Sequence, residues 1–206
     1  IVANPFRRSI ISIHRVYGYP MSDDPRKKLC VIFDIDETLI HFLNNNKKDV
    51  HGWPDDIQPE DKDQLEHETT KTGHGIIFRP HLGELFKYFA KNKDKFHVAL
   101  WTASESDYCN DIAARIQKRY KLPRDFFLFK YSSEDSEEHG MCEIKDLTHV
   151  YKNFPFLNVF NTILIDDMYK NIKGKHNNLN SVLIQPFAPF GHQKARQELT
   201  PDHLHE

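Results

Sequence analysis

Five short runs of apolar residues recur along the chain: LCVIFDI (29–35), FHVALWT (96–102), FFLFKY (126–131), TILIDD (162–167) and SVLIQP (181–186). Each has the length of a strand. The first, rich in β-branched residues, shows no polar position before Asp34, as expected of a strand covered on both faces. Patterns of helical period stand between them. RPHLGELFKYFAK (79–91) sets Pro80 near a first turn and places Leu82, Leu85, Phe86 and Phe89 on one stripe. SESDYCNDIAARIQKRY (104–120) opens on Ser104 as an N-cap and repeats apolar residues at the same period. This alternation predicts an α/β fold, a central parallel sheet with helices on both faces.

One stretch breaks the pattern. Residues 44–75 are polar, charged and turn-rich, which predicts a surface flap inserted after the first strand. The 206 residues otherwise read as a single domain with a core over about 27–190, the ends 1–25 and 187–206 wrapping its periphery. A first residue Ile1 in place of Met suggests a piece of a longer protein. Net charge is −2, which supplies no general electrostatic reason to bind nucleic acid or an anionic membrane. No run approaches the roughly 20 apolar residues of a membrane span. Cys30, Cys109 and Cys142 show neither paired spacing nor a zinc pattern, which suits a reducing, cytosolic compartment.

The first strand runs straight into Asp34, Asp36 and Glu37, three acids within four positions. In an open α/β sheet, ligands bind beyond the carboxyl ends of the strands. Thr102 and the pair Asp166–Asp167 follow two other predicted strands, so three strands deliver polar groups to one rim. Carboxylates gathered this way share protons or hold a hard divalent cation, and Mg²⁺ fits oxygen ligands alongside a phosphate. A carboxylate beside such an ion can attack phosphorus, a second acid can protonate the leaving oxygen, and a lysine can stabilise the transferring group.

The motif FDIDETL resembles the DxDxT signature of the haloacid dehalogenase (HAD) superfamily. More narrowly, the chain is similar to the phosphatases of the RNA polymerase II C-terminal domain and their small relatives. IIFRPHLGELF, LWTAS, EIKDL and ILIDDMYKN match further motifs of that family, in family order. The resemblance covers most of 29–187 and implies a Rossmann-like HAD fold. It implies Asp34 as nucleophile and metal ligand, and Asp36 as general acid and base with its carbonyl also on the metal. Thr102 and Lys145 would hold the phosphoryl group. Thr38, Arg79 and Ser104 would lie on the substrate side, Thr38 also fixing the loop and Arg79 serving substrate contact or site architecture. Asp167 would be the direct Mg²⁺ ligand of the last pair, with Asp166 supporting it directly or through water. The small-phosphatase branch often carries Asp-Asn where this chain has Asp166–Asp167.

Cys109 to Arg115, CNDIAAR, fits the C-x5-R spacing of cysteine-dependent phosphatases. It has no glycine and lies within a helical pattern, so its amides are expected to be bonded internally. HAD enzymes of small metabolites usually bear a cap domain. Neither 44–75 nor roughly 105–143 has the composition to fold as one, and an open site suits a phosphorylated protein side chain. Phosphoserine, phosphothreonine and phosphotyrosine all stay open as substrates. Other readings are a phosphatase of nucleic-acid ends or small metabolites, and a catalytically idle HAD-fold interaction domain. The unusual flap on a eukaryotic-type domain also suits a secreted pathogen effector acting in a host cell.

Overall fold

All five apolar runs pair into one sheet. The computed structural model describes residues 25–43, 65–139, 142–172, 177 and 179–190. Strands β1 (Leu29–Phe33), β5 (Phe96–Trp101), β6 (Phe127–Tyr131), β9 (Thr162–Asp166) and β10 (Ser181–Leu183) form a parallel sheet in the order β10-β9-β1-β5-β6. The chain moves outward from β1 through β5 to β6, then returns to β1's other side with β9. The carboxyl end of β1 is therefore the switch point at which a doubly wound sheet opens a crevice.

Alternation along β1 sends side chains to both layers. Val31 and Phe33 pack with Phe86 and Phe89 of α1 (Leu82–Lys91) and with Ile112 and Ile116 of α2 (Ser106–Tyr120). Cys30 and Ile32 face the opposite way, toward Leu147 and Val150 of α3 (Leu147–Asn153) and Ile172 of α4 (Tyr169–Ile172). Gly83 allows α1 to approach α2, because a Cβ there would meet the Tyr120 ring at 3.0 Å.

Two features depart from the sequence reading. Helix α2 begins at Ser106 with Glu105 at its cap position, so Ser104 is not its N-cap. The Ser104 hydroxyl is spent instead on an acid of the site described below. The flap expectation of 44–75 lies outside the described residues over 44–64, and its remainder is ordered β structure. Strands β2 (Ile40–Leu43), β4 (Gly75–Phe78) and β3 (His67–Thr69) make a small antiparallel sheet in the order β2-β4-β3. Polar β3 is held by pairing and by charge: Arg115 and Arg119 of α2 reach Glu68 at 3.3 and 2.9 Å. Among the described residues between β6 and Lys145 are one short 3-10 turn and the hairpin of β7 (Glu137–His139) with β8 (Cys142–Ile144).

Candidate active site

The turn after β1 is the first element of the site. Ile35 O accepts from Leu39 N at 2.8 Å and Ile40 N at 3.1 Å, which reverses the chain into β2. Glu37 sits in the left-handed region at φ 54°, uncommon for a side chain of this kind. Arg79 holds that turn in place. Its Nε donates to Thr38 O at 2.7 Å, and its Nη2 donates to Glu37 O at 2.8 Å and Gln185 O at 2.9 Å. The guanidinium also lies 5.2 Å from the Phe187 ring centroid. Arg79 thereby ties the acidic turn to the segment after β10, a geometry that serves architecture. Arg79→Lys, which loses the fork, is expected to lower unfolding stability in urea by about 1–3 kcal/mol. Raised KM at unchanged stability would mark a substrate contact instead.

Asp34 follows β1 and is 5% exposed. Its Oδ1 accepts from Lys145 Nζ, and the same ammonium donates to Asp166 Oδ2 at 2.7 Å. Lys145, 1% exposed, thus stands between acids that leave two different strands. Asp166 Oδ1 also accepts from Met168 N at 2.8 Å and Asn171 Nδ2 at 3.1 Å. Asn177 Nδ2 fixes the lysine backbone through Lys145 O at 2.6 Å. Burial pushes the Asp34 carboxyl up to about 7, despite the opposing pull of Lys145 and with a further push from Asp166. Burial works to depress Lys145, but Asp34 and Asp166 more than reverse it and hold the ammonium charged.

Asp36 lies across the turn. Its Oδ2 accepts from Thr102 Oγ1 at 3.2 Å and Ser104 Oγ at 3.4 Å, and its Oδ1 accepts from the Tyr108 hydroxyl. Thr102 Oγ1 accepts in turn from Ser104 N at 3.1 Å, which orients the hydroxyl. Burial raises the Asp36 pKa, with Tyr108 and Thr102 pulling against it. Tyr108 gives no sequence signal: it lies in the first turn of a helix that starts at the rim, and only the fold aims it inward.

Asp167 is half-buried and accepts from Thr38 Oγ1 at 3.4 Å. Burial and then Asp166 push its carboxyl up to about 6. One ligand oxygen each from Asp34, Asp166 and Asp167 lie within 4.8 Å of one another. Among the described residues, Asp34, Asp36, Asp166 and Asp167 face Lys145 and the adjacent Arg79 as cations. This excess of buried negative charge fits a hard divalent cation on oxygen ligands. The structure therefore brings Asp34, Asp36, Thr38, Thr102, Ser104, Lys145, Asp166 and Asp167 to one rim, with Arg79 behind the turn.

Cys109 stands apart from this chemistry. It is buried inside α2, its Sγ donates to Tyr131 O at 3.5 Å, and burial pushes its thiol up to about 12. Arg115 is engaged with Asp111 at 3.0 Å. The C-x5-R spacing is a helical coincidence.

Known proteins share this arrangement of motifs. The family model of NLI interacting factor-like phosphatases matches residues 29–204. The chain is 29% identical over 152 residues to CTD small phosphatase-like protein 1 of Caenorhabditis elegans, spanning 72% of this chain and 26% of the worm protein. It is 28% identical over 169 residues to a CTD phosphatase-like protein of Invertebrate iridescent virus 3, spanning 78% of this chain and 85% of the viral one. The fold matches that of the fission yeast RNA polymerase II CTD phosphatase Fcp1, solved bound to beryllium fluoride. The TM-score is 0.54 at 18% identity, over 88% of this chain and 45% of that one. The chain thus spans about a quarter of the worm relative and less than half of Fcp1. With a HAD-type sheet, the ordered motifs and a family match over 29–204, this chain belongs to the NLI interacting factor-like phosphatase family.

Proposed function

We propose that the chain is a Mg²⁺-dependent phosphoprotein phosphatase, one catalytic domain in which Asp34 is the nucleophile. The observation that carries this reading is the trio Asp34, Asp36 and Lys145 at the switch point of the sheet. Lys145 holds Asp34 by Oδ1, which leaves Oδ2 to attack phosphorus in line with the substrate oxygen. As the phosphorus–oxygen bond of the substrate breaks, Asp36 gives its proton to the departing side-chain oxygen. Its raised pKa suits that donation. Asp36 then takes a proton from water, the water oxygen attacks phosphorus, and inorganic phosphate leaves with Asp34 regenerated. Thr102 and Tyr108 hold Asp36 on line, and Lys145 balances charge on the phosphoryl oxygens. Asp34, Asp167, Asp166 and the Asp36 carbonyl would hold Mg²⁺, which when bound offsets repulsion between carboxylate and phosphate.

The substrate class follows from access. Among the described residues no domain closes over the rim, which suits a large substrate that shields the chemistry itself. A phosphorylated protein side chain does so, and the relatives' names point the same way. Hydrolysis of p-nitrophenyl phosphate should require Mg²⁺, stop with EDTA and resume on adding the ion back. A phosphopeptide array then distinguishes Ser, Thr and Tyr. Activity on nucleotides or sugar phosphates with none on any phosphopeptide would sink the protein-substrate reading. Cys109→Ser should leave p-nitrophenyl phosphate turnover within about twofold of wild type. Its loss in that variant, with Asp34→Asn fully active, would establish a cysteine mechanism.

Metal binding has a signature in stability. Asp34 and Asp167 are raised to about 7 and about 6 from the ordinary 3.8 of an aspartyl carboxyl. The folded chain therefore binds protons more tightly than the unfolded one. Without a cation the contribution of these two carboxyls to stability is greatest below about pH 4 and falls as pH rises to about 7. Mg²⁺ at one hundred times its Kd should add about 2.7 kcal/mol at pH 7.5, roughly 5–10 °C in Tm. At pH 4.5, where protons occupy Asp34 and Asp167, it should add far less. Equal shifts at both values in differential scanning fluorimetry would exclude these carboxylates as the ligands.

A further inference from the structure

The opposite end of the sheet carries a different chemistry. The described residues of the loops that lead into the five parallel strands lie at the strands' amino ends, a strand's length, roughly 17 Å, from the acidic rim. They are linked side by side. Leu29 N donates to Lys95 O at 2.9 Å, Asn161 Nδ2 donates to Arg26 O at 3.1 Å, and Asn180 Nδ2 donates to Val159 O at 2.5 Å. The result is one continuous edge about 20 Å long, five strands at about 4.8 Å spacing. Its centre and one flank carry Arg26, Lys27, Lys28, Lys93, Lys95 and Arg124, against the acids Asp94 and Asp125. The other flank presents Phe160 at 75% exposure and Leu179 at 96%.

A net charge of −2 conceals this separation. The buried acids gather at one end of the strands, and a cluster of cations, with Arg26, Lys27, Lys93 and Arg124 exposed, lies at the other. Lysines after helices are common because they suit the helix C-terminal dipole, which accounts for Lys91 and Lys118. It does not account for Arg26, Lys27 and Lys28, which precede β1, nor for large apolar side chains held out at two adjacent loop tips. Solvated loop tips have no need of phenylalanine and leucine.

We propose that this amino edge is a peripheral docking surface for an anionic lipid bilayer. The cations sit over the charged headgroups, and Phe160 and Leu179 enter the interface. A row of loop tips along one edge suits a planar charged surface, which meets every tip at once. Each Lys or Arg near such a surface contributes roughly fivefold to partitioning, and apolar insertion adds the second signal that stable attachment requires. Docked this way, the catalytic rim points away from the bilayer into the aqueous phase. The inference does not depend on the phosphatase reading, since it concerns the other end of the sheet.

The test is co-sedimentation of the whole chain with two vesicle types, phosphatidylcholine alone and phosphatidylcholine with about one third phosphatidylserine. Wild type should bind the second and not the first, and high salt should weaken it. Lys27→Glu, Lys93→Glu and Arg124→Glu together should reduce binding by roughly a hundredfold or more. Phe160→Asp with Leu179→Asp should reduce it about tenfold or more. Each variant's thermal melt and p-nitrophenyl phosphate turnover should match wild type, so that binding loss is separated from misfolding. Equal binding to both vesicle types, no binding, or binding that these changes leave intact would overturn the proposal. So would binding to soluble polyglutamate without vesicle binding, which would assign the edge to an acidic protein. Self-association lost in Phe160→Asp, without vesicle binding, would assign it to a second copy.

Discussion

Asp34→Asn is expected to lower phosphatase turnover by roughly 10⁴- to 10⁶-fold, the scale on which removal of a nucleophile acts. The same change should make the metal-free protein more stable at pH 8. Burial raises the Asp34 carboxyl, and that exceeds what Lys145 gives back, so ionising it costs the fold free energy. Asn fills the same volume without that charge, while Lys145 keeps Asp166. Mg²⁺ should then stabilise the variant less than the wild type. Activity is read with p-nitrophenyl phosphate and stability by urea unfolding with EDTA present. Inactivity with a lower Tm would mean that Asp34 serves the fold, and full activity would remove it from the chemistry.

Lys145→Met should have the largest effect on folding. Methionine keeps the length of the side chain and discards the only ammonium touching Asp34 and Asp166 among the described residues. Two buried acids lose the ammonium that pairs with both, and breaking a buried ion pair by removing one member costs about 3–5 kcal/mol. Much of the 5–15 kcal/mol that holds a typical domain would go at neutral pH. The damage should shrink at pH 5, as Asp34 takes up a proton, and shrink again with Mg²⁺ at pH 7.5. Chemical denaturation at both pH values reads this directly. An unchanged unfolding midpoint at pH 7 would show that Lys145 is not the cation that the acids depend on. Activity should be lost at every pH.

The sheet was legible because five runs had no polar face to offer water, and a run of that kind has few places to go except the centre of a parallel sheet. The site residues were legible as a group because acids at strand ends have no packing reason to be there. The fold subsequently gathered them at one rim. Other features left no trace in pattern. Strand β3, His-Glu-Thr, has no apolar period and exists through its ladder with β4 and its charges on α2. Ser104 looks like a helix cap, and any Ser before such a helix would. Its real partner, Asp36, is 68 positions away, beyond the reach of local sequence. Tyr108 and Arg79 are similar cases. Pattern alone makes one a helix residue and the other a loop arginine; the family resemblance singles out Arg79, and the turn of 35–40 built between them shows what it holds.

Strand β1 sits at the middle of the sheet, yet neither of its neighbours is near it in sequence. Asp34 and Lys145 are 111 positions apart. On a ribosome adding about 5–20 residues per second, roughly 6–22 s pass between making the acid and making its lysine. During that interval β1 has no ladder on its β9 side, and Asp34 remains hydrated and ordinary. Its unusual acidity therefore arises late and all at once, when β9 closes beside β1. A nascent chain that stops short of β9 lacks Asp166 and Asp167, so the acidic rim is complete only once residue 167 has been made.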